Sequence, residues 1–217
     1  MAATFKKRLS ICTLFAIAMA YVESAVVVYL RTLYYPEGFA FPLKDILPSL
    51  IWAEIGRELA TIVMLWAVAQ LLAKNRREWF AYFAYNFGMW DIWYYIWLKI
   101  LLNWPHTLLD WDILFLIPLP WVGPVLAPIL VSLALITAAV IILKREAKNQ
   151  PIHLGINGWV LEALAGLTII VSFCLNSDCV INHGRPDAYP WWLFAIGLGL
   201  GIGVFMRAVF KTALSHK

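Results

Sequence analysis

The chain has 217 residues, of which 63% are hydrophobic and 14% charged, with 17 Lys and Arg against 13 Asp and Glu. A mean hydropathy of +0.76 lies far outside the balance of a water-soluble domain and marks a polytopic membrane protein. At this length about six spans of ~20 residues fit with short loops, so residues 1–217 are expected to form a single all-α integral membrane domain.

The first apolar run, residues 9–30, follows Lys6, Lys7 and Arg8. It is too long for a signal-peptide core and has no small-x-small cleavage pattern at its end, so it is expected to be a retained helix. That helix covers about 10–34 and stops where Pro36 disfavours helix in its predecessor. Residues 39–49, with Pro42 and Pro48, read as an amphiphilic connector resting on the membrane surface. Helix 2 is expected at about 50–72 and helix 3 at about 79–103, ending at Trp104-Pro105. Residues 108–120 are apolar, only a dozen long and closed by Pro118 and Pro120, which predicts a short re-entrant or interfacial segment between helices 3 and 4. Helices 4, 5 and 6 follow at about 122–143, 157–175 and 191–210. In the last of these, Gly197, Gly199, Gly201 and Gly203 make two overlapping small-xxx-small pairs, a face for close helix approach within the chain or in an oligomer.

Six crossings put twelve Lys and Arg on one side, including Lys74, Arg76, Arg77, Lys144, Arg145, Lys148, Arg207, Lys211 and Lys217. Only Arg31, Lys44 and Arg185 fall on the other. The positive-inside bias then predicts a multi-pass cell (inner) membrane protein with both termini cytoplasmic. On this reading the basic balance reports topology, and nucleic acid is not an expected partner. Cys174 and Cys179 flank the start of an outward loop. An oxidising compartment permits a disulfide between them, with two free thiols as the alternative.

The chemistry concentrates in residues 86–128, where buried charge lies among Trp and Tyr. An ionisable group at bilayer depth costs about 2.5–3.5 kcal/mol on insertion scales and normally has a partner and a function. Glu54 and Glu58 are four apart and share a helical face, and Asp91, Tyr95 and Lys99 form a stripe by the same spacing. Glu23 falls at a similar depth in helix 1. These positions predict an outward-opening pocket. Glu23, Glu54, Glu58, Asp91 and Lys99 are the candidate catalytic groups, and Arg57, Trp90, Trp93, Tyr94, Tyr95 and Asp112 the candidate substrate contacts. The structural alternative is interhelical ion pairing that fixes packing, such as Glu54 or Glu58 with Lys99 and Glu23 with Arg57.

His106, His153, His183 and His216 all fall in loops or at the terminus, which argues against haem, a His-rich di-iron centre and a zinc site. A carboxylate cluster suits protons or a hard divalent cation such as Mg²⁺, Ca²⁺ or Mn²⁺. Two function classes follow. One is a membrane-embedded enzyme acting on a lipid or isoprenoid by acid–base or cation-assisted chemistry. The other is a small carrier or an accessory subunit of a larger membrane complex, using the acids for ion binding or packing.

Overall fold

The structure, a computed structural model, describes residues 2–215; His216 and Lys217 lie outside the described residues. In chain order the elements are α1 (Ala2–Tyr34), α2 (Pro48–Leu72), α3 (Arg76–Leu102), β1 (Trp111–Phe115), β2 (Trp121–Pro124), α4 (Leu126–Glu146), α5 (Ile156–Cys174), α6 (Ser177–Ile181) and α7 (Trp191–Ser215). Five stretches are helical, long and apolar enough to cross a bilayer: Phe5–Tyr34, Pro48–Leu72, Leu126–Glu146, Ile156–Ile181 and Trp191–Thr212. The protein is accordingly a helical, multi-pass membrane protein. The 27 residues of α3 span about 40 Å at 1.5 Å per residue. Its Asn86, Asp91, Lys99 and phenolic side chains leave it outside that apolar set.

Local chemistry accounts for the helix ends. Pro48 begins α2, where its missing N–H costs nothing. At α3, the Asn75 side chain caps the first turn by accepting the backbone N–H groups of Arg77 at 3.0 Å and Glu78 at 2.9 Å. The same helix closes at Asn103, whose φ of 52° is the left-handed conformation common at helix ends.

The segment between α3 and α4 departs from the sequence expectation of an all-α chain. Residues 111–115 and 121–124 form an antiparallel hairpin in the register Trp111↔Pro124, Asp112↔Gly123 and Ile113↔Val122, with an irregularity before Phe115↔Trp121. Residues 122–124, expected as the first turn of helix 4, belong to the second strand, and α4 starts at Leu126. Pairing satisfies backbone groups that a proline-interrupted apolar segment would otherwise bury bare, and Pro118 and Pro120 fall in the connecting turn where no ladder donor is needed. Gly123 lets the hairpin press onto the α5 and α7 side: a Cβ there would lie 3.1 Å from Phe173 and 3.2 Å from Tyr189.

Three of the four apolar clusters have α3 at their centre. Tyr82, Ala84 and Tyr85 pack with Cys12, Ala69, Ala139 and Leu143; Trp90 packs with Ala16, Met19, Ala20 and Leu65; Tyr95 and Leu98 pack with Trp104 and Val125. Successive contacts run in the same sequence direction along α1 and α3 and in opposite directions along α3 and both α2 and α4. The closest approach is at Gly88, where a Cβ would lie 2.7 Å from the Ser132 carbonyl oxygen. Ion pairs gather at one end of this four-helix unit, Arg8 with Glu78 at 3.9 Å and Arg77 with Glu146.

The second unit is the pair α5 and α7. Gly197 and Gly201 face α5, and a Cβ at Gly197 would lie 3.0 Å from the Ala165 carbonyl oxygen, whereas Gly199 and Gly203 meet nothing within 4 Å. One of the two glycine pairs is thus used inside the chain. Cys174 and Cys179 are both free thiols. Of the two states the spacing allowed, this is the unbonded one, and Cys179 donates to the Arg185 carbonyl oxygen at 3.2 Å.

Candidate functional site

A cavity of about 170 Å³ opens at the end of the four-helix unit remote from the Arg8 and Arg77 ion pairs. Five parts of the chain wall it. From α1 come Glu23, Val27, Leu30, Arg31 and Tyr34, a single helical face at spacings of three and four. Glu54, Arg57, Glu58 and Thr61 form the corresponding face of α2, and Trp90, Asp91, Tyr94 and Tyr95 that of α3. The connector (Tyr35, Phe39, Leu43, Ile46) and the run Asp112 to Leu116 cover the remainder.

Two guanidinium groups organise the charge. Arg57 pairs with Glu54 one turn earlier on its own helix at 2.8 Å and with Glu23 across on α1. The Thr61 hydroxyl also reaches Glu23, so this carboxylate, 3% exposed, is held from two positions on α2. Arg31 pairs with Asp112 of β1 at 3.0 Å. Its guanidinium lies 3.8 Å from the Trp104 ring centroid and 4.3 Å from that of Phe39, contacts that stabilise a desolvated cation through the ring faces. Arg31 therefore ties α1, the connector, the hairpin and the end of α3 together.

Glu58 and Asp91 are arranged differently. Glu58 accepts the Leu116 backbone N–H at 2.9 Å, docking the hairpin onto α2. Asp91 accepts the Ser132 hydroxyl of α4 at 2.7 Å, across the narrow α3–α4 contact that Gly88 permits. Among the described residues, neither carboxyl has a cation within ion-pair distance. Three polar atoms of residues that line the cavity are buried without a hydrogen-bond partner: Arg31 Nη1, Trp90 Nε1 and Asp112 Oδ2. The Tyr95 hydroxyl and the Ile113 backbone N–H also act on the Asp112 carboxyl, while Oδ2 itself keeps no donor in full hydrogen-bond geometry.

Of the residues expected from the sequence, Glu23, Glu54, Arg57, Glu58, Trp90, Asp91, Tyr94, Tyr95 and Asp112 are brought to this one cavity. Lys99 is not. It continues the Asp91 and Tyr95 stripe, but its ammonium donates to the carbonyl oxygens of Pro105 at 3.0 Å and Asn103 at 3.4 Å, where the open end of α3 supplies acceptors nearer than any carboxylate. The expected pairing of Glu54 or Glu58 with Lys99 is replaced by the Glu54–Arg57 pair. Trp93 packs beside the cluster of Ala16, Met19 and Ala20 and stacks near Trp97 at 5.8 Å, away from the cavity.

Sequence reasoning did not single out Tyr34, the connector residues, Thr61 or Ser132 as contributors. Phe39, Leu43 and Ile46 recur at near-helical spacing within an irregular stretch, a faint signal that becomes a wall only because the connector folds back. The α6–α7 loop fastens that stretch: Arg185 Nε donates to the Phe41 carbonyl oxygen at 2.8 Å, and His183 Nδ1 lies 2.9 Å from the Leu43 carbonyl oxygen.

The described residues contain no group of three or more His, Cys, Asp or Glu placed to hold a metal ion. The carboxylates are spread over separate guanidinium and neutral donors rather than converging on one point. No family model, curated protein or solved structure matches the chain.

Proposed function

We propose that the chain crosses the cell membrane six times, α3 included, and that its cavity opens toward the outer face and admits a lipid or isoprenoid amphiphile on which Glu58 and Asp91 perform acid–base chemistry. The side-by-side packing of α3 with α4 along its whole length supports the sixth crossing, because a neighbour that traverses the bilayer carries α3 with it. Shielding by α1, α2 and α4 also explains how so polar a helix is tolerated. The distance of the cavity from the basic end of the bundle supports its outward opening.

One observation carries the catalytic reading. Of the five carboxyls lining the cavity, Glu23, Glu54 and Asp112 are each engaged by a guanidinium, whereas Glu58 and Asp91 each receive only a neutral donor. A carboxyl without a fixed counter-ion, facing an apolar chamber, is free to give or take a proton as the charge on a ligand changes. The aromatic and aliphatic remainder of the wall suits a hydrocarbon body.

The test is to incubate the protein, reconstituted in nanodiscs, with lipid extracted from its own membrane in deuterated water. Acid–base turnover places deuterium on a carbon of one lipid species, read by mass spectrometry, and Glu58→Gln or Asp91→Asn abolishes it. No labelled species with wild-type protein, together with isolation in a stable hetero-complex free of bound lipid, would transfer the reading to an accessory subunit.

A further inference from the structure

Building on the reading of the cavity as an amphiphile site, we infer that its ligand carries a protonated amine next to an oxygen, as in a long-chain amino alcohol or an amino-lipid headgroup. Charge is the first reason. The wall carries five carboxyls, Glu23, Glu54, Glu58, Asp91 and Asp112, against the two guanidiniums of Arg31 and Arg57; both guanidiniums are already paired, so an anionic headgroup meets no free cation, whereas a cation meets Glu58 and Asp91, which can give up their protons to pair with it. In a chamber of low dielectric that difference is felt far more strongly than in water.

Asp112 supplies the second, independent reason. It is 2% exposed, its Oδ1 is taken by Arg31, and its Oδ2, although the Tyr95 hydroxyl and the Ile113 backbone N–H act on the same carboxyl, has no partner within full hydrogen-bond geometry. Buried acceptors left bare are costly, and an N–H of a ligand ammonium satisfies this one. The rings of Trp90, Tyr94, Tyr95, Phe39 and Phe115 complete a surround that favours a cation over its neutral isostere. The two bare donors on the same wall, Arg31 Nη1 and Trp90 Nε1, call for an oxygen acceptor on the same molecule. The ligand therefore joins a nitrogen donor and an oxygen acceptor at the polar end of one hydrocarbon chain.

The test uses four matched probes with wild-type protein in nanodiscs at neutral pH: a dodecyl amino alcohol, its trimethylammonium analogue, the corresponding diol and the corresponding hydroxy acid. Binding is read by native mass spectrometry and calorimetry. The amino alcohol is expected to bind at least about tenfold more tightly than the diol, a difference of about 1.4 kcal/mol. The trimethylammonium compound, cationic but without an N–H for Asp112, falls between them, and the hydroxy acid is weakest. Glu58→Gln retains an oxygen for the Leu116 N–H, and Asp91→Asn retains one for Ser132. Each removes one negative charge from the wall and is expected to shrink the ratio of amino-alcohol to diol affinity measured in the same variant, while Asp112 keeps part of the preference.

A diol that binds as tightly as the amino alcohol, or a hydroxy acid that binds best, would overturn the amine inference and leave the amphiphile site standing. Binding of none of the four would overturn both.

Discussion

Arg57 offers the sharpest test of how this site is built. Arg57→Met removes the only cation within ion-pair distance of Glu23 and Glu54 among the described residues. Deleting one partner of a buried pair costs about 3–5 kcal/mol, because the remaining charge stays desolvated and unpaired. The Arg57 side chain keeps 23% exposure while that of Glu23 keeps 4%, so the lower end, about 3 kcal/mol, is expected. For a chain of this size each kcal/mol moves the melting temperature by about 2–4 °C, giving a drop of roughly 6–12 °C. Combining Arg57→Met with Glu23→Gln removes the stranded charge and should recover part of the loss, a coupling of about 1–3 kcal/mol. Tryptophan-fluorescence melts of the four proteins in nanodiscs measure the cycle. A drop under 2 °C for Arg57→Met, or strict additivity in the double variant, would refute the view that this guanidinium holds α1 and α2 together.

Lys99→Met should cost only about 0.3–1 kcal/mol, the value of a cation at a helix C-terminus, and should be additive with both Glu58→Gln and Asp91→Asn in the same melts. Strong coupling to either acid would return Lys99 to the carboxylate group. Asp110 gives a pH dependence. Burial is the largest single influence and opposes its ionisation, but the Thr107 hydroxyl at 2.8 Å, the His106 backbone N–H at 2.7 Å, the Thr107 backbone N–H and the His106 side chain together outweigh it and hold the carboxyl below the usual range. A depressed folded value means the stabilisation is present above the unfolded value of about 3.9 and is lost as pH falls through the folded one. The melting-temperature gap between wild type and Asp110→Asn should therefore hold above about pH 5 and narrow progressively as pH falls below about 4; a constant gap would contradict this. Maleimide labelling of unreduced, denatured protein should add three adducts, one per cysteine, and a single adduct would reveal a Cys174–Cys179 bond.

What could be read from the sequence was what local spacing determines. Long apolar runs with polar punctuation are enough to locate helices, and a four-residue interval is enough to put Glu54 with Glu58, or Asp91 with Tyr95, on one face. The same interval misled at Lys99, since a periodicity says which face a side chain leaves from but not whether free carbonyls at the helix end will capture it. The hairpin was hidden for a different reason. Residues 111–124 gain their strand character by pairing with each other and by pressing Gly123 against Phe173 and Tyr189. Taken alone, the run from Trp121 to Pro128 carries the apolar signature of a helix start. Phe39, Leu43 and Ile46 were illegible as cavity wall because the contacts that fold the connector inward come from Arg185 and His183, some 140 positions away.

The position of α3 decides the topology, and parity makes it measurable. Helix α4 is apolar enough to cross, and α3 lies antiparallel to it from Leu98 beside Val125, through Gly88 at Ser132, to Tyr82 and Tyr85 beside Ala139 and Leu143. Two helices in contact over that length share their depth, so a crossing α4 predicts a crossing α3. If both cross, an odd number of spans precedes neither Lys74 nor Lys148 with α1 inward-starting, and reporters fused after these two residues report the same side. If α3 instead lies along the surface, α4 alone separates them and the reporters report opposite sides. A third fusion after Asp187 should oppose the Lys148 fusion in either case, because α5 intervenes, and so serves as the internal control. Opposite signals from Lys74 and Lys148 would dismantle the cavity as well as the count, since Asp91 would then approach Glu58 only by leaving the plane in which α4 holds it through Ser132.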